Sequence, residues 1–172
     1  PTIFITGTKE FLRYKEAVAF TFVSGFITGS FMVYLSTSQQ IFQEQYLLGE
    51  LFPYIFASTA FSVGFATFTN SRLVIRFGSF NIAFYATIAY AVISLLYVVF
   101  YHTGNNPSIA ILMTCFLMQF FAVGFLFGNL RSLAMEPLGH IAGIGSAING
   151  FVSTVMAVPI ANFIGSFVKT SV

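Results

Sequence analysis

The stretch Phe80–Tyr101 reads FNIAFYATIAYAVISLLYVVFY and contains no charged residue. A helix needs about 20 mostly apolar residues to cross the hydrocarbon core of a bilayer. This stretch has that length and is rich in aliphatic and aromatic side chains. It therefore predicts a membrane-spanning helix.

The composition of the whole chain agrees with this interpretation. Of 172 residues, 57% are hydrophobic and 7% are charged, and the mean hydropathy is +0.88. Soluble globular chains usually carry about 25% charged residues, so this chain has too little polar surface to keep a fold of its size in water. Membrane lipid is the expected surrounding. The net charge of +2 is too small to indicate a nucleic-acid partner.

Other stretches share the character of the first, and together they predict an all-α membrane protein with five transmembrane helices. These run Ala17–Ser36, Leu51–Thr69, Phe80–Tyr101, Ser108–Leu130 and Ile141–Val168. The connections between them are short, which predicts antiparallel neighbours in a single bundle over residues 17–172. Residues 1–16 are expected to be the end of a cytoplasmic linker. The chain begins at Pro1 without an initiator Met or a signal segment, which predicts a fragment or a processed piece.

The positive charges divide unevenly between the two faces of this bundle. Positive residues collect in the cytoplasmic loops of membrane proteins, so the N-terminal segment is expected in the cytoplasm and the C-terminus outside it. The basic residues on the first face are Lys9, Arg13, Lys15, Arg72, Arg76 and Arg131, and only Lys169 falls on the other.

The sequence offers no set of side chains for catalysis or metal binding. It has no Asp, and its Glu residues lie outside the five stretches. His102 and His140 fall on opposite faces, and Cys115 is the only cysteine, which excludes an internal disulfide and a multi-cysteine metal site. The glycines do not form a phosphate loop, since no Gly-Lys-Ser/Thr follows them. We therefore expect neither an enzyme nor a cofactor.

Polar and aromatic side chains within the stretches indicate a candidate cavity. Gln119 and Asn149 would each leave amide groups in hydrocarbon unless they are paired or face water. Helix packing and substrate contact are both open for these two residues. The substrate-cavity candidates are Thr28, Phe31, Tyr34, Gln119 and Asn149, and Phe120 and Phe121 could add to an aromatic wall.

Small residues recur at helical spacing along the fifth stretch. Helices in lipid associate by close packing at Gly, Ala and Ser, because no hydrophobic drive brings them together. The packing candidates are Gly143, Ser146, Gly150 and Ser153.

The segment Asn70–Gly78, NSRLVIRFG, is predicted to be part of a short loop between the second and third spans. Spaced arginines and a glycine in such a turn can hydrogen-bond the carbonyl ends of neighbouring helices, where cations are favoured. A generic positively charged loop explains the pattern equally well. Arg72, Arg76 and Gly78 are the candidates for a gating loop.

This loop and the segment Gly128–Ala147, GNLRSLAMEPLGHIAGIGSA, carry a resemblance. The chain resembles the C-terminal half of a major facilitator transporter of the drug:proton antiporter branch, which includes bicyclomycin and chloramphenicol efflux proteins. The part MEPLGHIAGIGSA is the more specific of the two motifs. The loop departs from the signature of the family's first half, which carries an Asp where this chain has Ile75.

The resemblance implies helices seven to eleven of a twelve-helix fold in the bacterial cytoplasmic membrane. It implies proton-coupled efflux of small lipophilic molecules by alternating access, with the other half of the transporter as partner. The third span would be peripheral. A proton-coupled pump needs a titratable group within the membrane, and the coupling carboxylate is expected in the other half, since no span here contains one.

Two other functions fit the sequence. One is a carrier of a metabolite from the same superfamily, although a solute of fixed charge would favour a buried Arg or Lys, which the spans lack. The other is a membrane scaffold that does not transport.

Overall fold

The computed structural model describes residues 2–102 and 106–168, and all regular structure within these ranges is helical. The five long helices correspond to the five predicted stretches, which confirms the all-helical prediction for the described residues. The elements are α1 (Thr2–Arg13), α2 (Lys15–Gln39), a π-helical turn (Gln40–Gln45), α3 (Phe52–Phe77), α4 (Ser79–Tyr101), α5 (Ile109–Met135), a 3-10 segment (Glu136–Ile141) and α6 (Ala142–Gly165).

Three stretches are long and apolar enough to cross a membrane, whereas the sequence predicted five spans. They are Lys15–Gln45, Ser79–Tyr101 and Ile109–Gly165, and the last, with 57 residues, contains both α5 and α6. Hydroxyl-bearing side chains lower the hydropathy of α3, which is not among them. These long apolar helices are compatible with an integral membrane protein. Lys169, the one basic residue expected on the opposite face, lies outside the described residues.

The predicted loop between the second and third spans is helical along most of its length. α3 continues to Phe77 and α4 begins at Ser79, so Gly78 alone joins them. Arg and Leu are good helix formers, and nothing before Gly78 interrupts the helix. Gly78 has φ 77° and ψ 154°, a combination that is essentially restricted to glycine. The prediction of a loop over residues 70–79 is therefore wrong, because the polar residues from Asn70 to Arg76 are part of α3.

The connection between α5 and α6 is also shorter than predicted. α5 runs to Met135, and the 3-10 segment leads directly into α6. Pro137 has no backbone N–H and cannot continue an α-helix at this point, and Leu138 departs from helical geometry at φ −107° and ψ 16°. The chain bends here without a separate loop.

The end of the expected linker forms helix α1, which packs against the start of α6. Phe11 is 3% exposed and clusters with Ala17 and Leu138. Glu10 and His140 approach to 2.6 Å between Oε1 and Nε2. The N-terminal segment is thus a docked helix in this structure.

Four helix pairings define the bundle. α5 lies between α2, α3 and α4, and α2 packs closely along α6. Gly25 of α2 lies so close to α6 that a Cβ at this position would stand 2.6 Å from Sδ of Met156. Gly124 of α5 approaches α3 equally closely, since a Cβ there would stand 2.6 Å from the Val63 carbonyl oxygen. Because α2 also packs on α5, the α2–α5 interface lies between α6 on one side and α3 and α4 on the other, at the centre of the molecule.

Of the four small residues predicted to pack along α6, only Ser153 lies on its buried face. Gly143 and Gly150 are exposed, and within the described residues a Cβ at either would meet nothing within 4 Å. The buried stripe is Gly145, Asn149, Ser153, Ala157 and Ala161. The face that packs differs from the predicted face because two glycines of α2 leave room for the side chains of Met156 and Ile160. These contacts fix the rotation of α6 about its own axis. Only Ser153 belongs to both sets.

Candidate functional site

A cavity of about 190 Å³ lies between α2 and α5. Its walls are mainly aromatic and aliphatic, with a few hydroxyl groups and one amide. The lining residues are Ser30, Phe31, Val33, Tyr34, Thr37, Ile41, Tyr90, Phe116, Gln119, Phe120, Val123 and Val168. We refer to this space as the aromatic cavity.

The α2 wall presents Phe31 and Tyr34, which share one face of the helix because they are three residues apart. Tyr34 is 6% exposed, and its hydroxyl lies 2.8 Å from Oγ1 of Thr59 in α3. Thr59 donates its only hydroxyl proton to the Phe56 carbonyl, so Tyr34 is the donor of the bond between them. This bond fixes the phenol ring at the cavity wall.

The α5 wall completes an aromatic cluster. The ring of Phe120 lies 4.5 Å from that of Tyr34 and 5.7 Å from that of Phe31, both in edge-to-face arrangements. Phe116 packs edge-on to Tyr34 at 5.4 Å. Such pairs are favoured at centroid distances of about 4.5–7 Å. The rings support one another and leave an apolar surface facing the cavity.

Gln119 places the amide in this wall. Its Nε2 donates to Oγ of Ser94 in α4 at 3.0 Å, while Ser94 donates to the Tyr90 carbonyl at 2.9 Å. A neutral amide has two N–H donors and an oxygen acceptor, and the bond to Ser94 uses one donor. The geometry thus orients Gln119 and leaves it at the edge of the cavity.

The structure brings three of the five cavity candidates together and places two elsewhere. Phe31, Tyr34 and Gln119 line the aromatic cavity, and neither Thr28 nor Asn149 does. Thr28 donates to the Ser24 carbonyl of its own helix at 2.8 Å. Asn149 is 4% exposed and donates to Oγ1 of Thr21 at 2.8 Å. Of the two roles left open for Asn149, these contacts favour packing between α6 and α2.

Sequence reasoning missed some of the lining. Phe116 lies three residues before Gln119, and helical spacing could have identified it. Tyr90 comes from α4, the span expected at the periphery, and its position depends on how α4 packs on α5. Phe121 points to another side of α5 than Phe120 and lines a groove between α3, α4 and α5.

The gating-loop candidates lie at the end of α3. Arg72 stacks over the Phe68 ring at 5.4 Å and Arg76 over the Phe77 ring at 5.2 Å, and both are exposed. Gly78 forms the junction with α4. None of these three residues lines the aromatic cavity.

The two motif segments are in contact. Asn129 is 2% exposed, and its Nδ2 donates to Oδ1 of Asn70 at 2.7 Å and to the Phe125 carbonyl at 2.8 Å. Nη2 of Arg131 donates to Oγ of Ser146 at 2.7 Å, within the second motif. The polar residues of the motifs therefore connect α5 to α3 and to α6.

Comparison with known proteins gave no match: no family model fits the chain, and neither the curated proteins nor the solved structures contain a significant relative. The function is therefore inferred from the residues of the chain and from their geometry.

Proposed function

We propose that this chain is part of a secondary active transporter of the major facilitator type, in the drug:proton antiporter branch, that exports small lipophilic molecules by alternating access. It would correspond to helices seven to eleven and would act in the bacterial cytoplasmic membrane, with its N-terminal segment in the cytoplasm. The aromatic cavity between α2 and α5 is the observation that supports this function best.

The chemistry of the cavity suits a lipophilic substrate. Ligand sites are mostly apolar and aromatic, with a small number of polar groups that orient the ligand. Phe31, Phe116 and Phe120 supply the apolar surface, and Gln119 supplies the polar group. A wall of flat rings with one neutral amide places few geometric demands on a ligand, which favours broad specificity.

The size of the cavity agrees with a site shared between two halves. Pockets for drug-sized ligands measure about 300–1,000 Å³, and this cavity measures about 190 Å³. The chain would thus provide one wall of the substrate site, and the other half of the transporter would provide the opposite wall. The coupling carboxylate belongs to that other half in this proposal.

The two motif segments also fit a transporter half. The Asn129–Asn70 bond joins α5 to α3 beside the arginine-bearing end. A rigid connection between motifs allows the half to move as one body, which alternating access requires.

Dye efflux from cells that lack their own pumps tests this function. The complete gene that encodes the chain should confer ethidium efflux, and a protonophore should abolish it. Phe31→Ala should reduce efflux several-fold or change its dye preference. Phe22→Ala is the matched control on α2, because Phe22 is 49% exposed and does not line the cavity.

Efflux that persists with the protonophore would exclude proton coupling. Equal behaviour of the Phe31 and Phe22 variants at equal expression would remove the aromatic cavity from the substrate path.

A further inference from the structure

A second, larger cavity lies on the opposite side of α5 from the aromatic cavity. It is a groove of about 790 Å³ bounded by α3, α4 and α5. Phe65 and Leu73 form its α3 wall, Tyr85 and Ala89 its α4 wall, and Phe121 part of its floor. The groove exists because α3 and α4 both pack on α5 but separate from each other beyond Gly78. We refer to it as the lateral groove.

The length of the lateral groove matches one leaflet of a bilayer. On α4 its lining extends from Asn81 to Ile93, a rise of about 18 Å at 1.5 Å per residue. Half of the hydrocarbon core of a bilayer is about 15 Å thick. The groove starts near the helix ends at Gly78 and reaches the middle of α5. An extended acyl chain from one leaflet has this orientation and length.

Two exposed basic residues of α3, Arg72 and Arg76, lie near the Gly78 end of the lateral groove, and neither lines it. Arg76 follows the lining residue Leu73 by three positions and Arg72 follows Phe65 by seven, which places both beside the groove-lining face of α3. The guanidinium of Arg72 stacks on Phe68, which does not line the groove. The guanidinium of Arg76 stacks on the ring of Phe77, itself a lining residue. Within the described part of the chain neither arginine forms an ion pair with a carboxylate. Glu136 lies in a neighbouring groove, across the Gly78 junction.

We propose that the lateral groove binds an anionic phospholipid, with an acyl chain along α3, α4 and α5 and the phosphate held by Arg76 and Arg72. The apolar walls match the acyl chain, and the guanidinium groups near the Gly78 end, which have no carboxylate partner among the described residues, match the negative headgroup. Guanidinium groups bind phosphate oxygens through parallel N–H donors. Basic sites between transmembrane helices are suited to anionic lipid headgroups.

The lack of tryptophan in the chain allows a direct test. Tyr85→Trp introduces a single tryptophan into the groove, at a side chain that is 68% exposed. Phe84→Trp is the matched control, since Phe84 has the same depth on α4, is 51% exposed and does not line the groove. The full chain is placed in phosphatidylcholine nanodiscs that contain a small fraction of brominated phosphatidylglycerol or brominated phosphatidylcholine, whose bromines quench a neighbouring tryptophan.

The Tyr85→Trp variant should be quenched more strongly by the brominated anionic lipid, and the Phe84→Trp variant equally by both lipids. The preference should correspond to about fivefold in relative affinity for each arginine, equivalent to about 1 kcal/mol. Adding Arg72→Gln and Arg76→Gln to Tyr85→Trp should abolish the preference while quenching by brominated phosphatidylcholine persists.

Three results would overturn the proposal. Equal quenching of the Tyr85→Trp variant by the two lipids would show a groove filled by bulk lipid. A preference for the anionic lipid that survives the double glutamine change would show that the two arginines do not bind its headgroup. Failure of both lipids to quench would show that a protein segment covers the groove.

Discussion

Asn129 of α5 donates a hydrogen bond to Asn70 of α3, with 2.7 Å between Nδ2 and Oδ1, and the two residues come from the two motif segments, 128–147 and 70–78. Asn129 is 2% exposed, so the amide has little access to water. The bond joins the helices at the end where α3 carries its arginines. It is the polar contact that aligns the two motifs.

Asn129→Ala should therefore destabilise the chain by about 1–2 kcal/mol, because it leaves the Asn70 oxygen without this donor. Unfolding in mixed micelles with increasing SDS, followed by circular dichroism, measures the change. Asn81→Ala is the control, since Asn81 is exposed and bonds the Phe77 carbonyl close by in the chain. Equal stability of the two variants would contradict a special role for the Asn129 bond.

Asn149 and Gln119 should respond differently to replacement by leucine. Asn149→Leu removes the bond to Thr21 and adds bulk to the tight α2–α6 interface, so it should cost about 1–3 kcal/mol and lower the yield of folded protein. Gln119→Leu should leave the yield nearly unchanged and shift the dye preference of efflux. Size-exclusion profiles and efflux assays measure the two effects. The same loss of folded protein in both variants would assign both amides to packing.

Gly124→Ala should destabilise the α3–α5 contact. The added methyl would stand 2.6 Å from the backbone oxygen of Val63, and backbone cannot rotate away as a side chain can. A cost of about 1–3 kcal/mol is expected from overpacking. Gly128→Ala, one turn along the same helix and facing open space, should be neutral or stabilising by up to about 1 kcal/mol. Unfolding of the two variants in SDS, measured side by side, tests this difference in stability. An equal loss of stability in the Gly128→Ala variant would contradict overpacking at Gly124 as the cause.

Gly78→Ala should cost about 1–3 kcal/mol, because alanine is strained at φ 77° and ψ 154°. No neighbour crowds the site, so the cost comes from the backbone alone. Gly64→Ala within α3 is the control, and there alanine should stabilise the helix slightly. Thermal unfolding monitored by circular dichroism reports both. A Gly78 variant as stable as the starting chain would mean that the junction adopts another conformation.

The long helices could be predicted because each is formed by an apolar stretch of about 20 residues without a charged side chain, the length that crosses a bilayer as a helix. Their ends could not be predicted, since residues 70–77 include an asparagine, a serine and two arginines and yet continue α3 without a helix breaker. The bend between α5 and α6 falls at Leu138, directly after Pro137, whereas the predicted fourth span ended at Leu130. The polarity of the residues thus indicates whether a helix lies in lipid or in water, and it indicates less well where the helix begins and ends.

The candidate cavity was found in part for a similar reason. Phe31, Tyr34 and Gln119 are conspicuous in apolar helices, and the structure brings them together. Tyr90 depends on the register between α4 and α5, which no local pattern specifies. The α6 stripe was misplaced because its small residues allow two faces, and the choice between them is made by Gly25 and Gly29 on the facing helix.

The single-residue junction at Gly78 has a mechanical consequence. Because Gly78 alone joins α3 to α4, neither helix can slide far along the other, and a movement of one relative to the other must change the angle at Gly78. The lateral groove is the space between α3 and α4, and the two helices meet at Gly78. A molecule in the lateral groove would lie between α3 and α4 and would limit how closely the two helices can approach each other over α5.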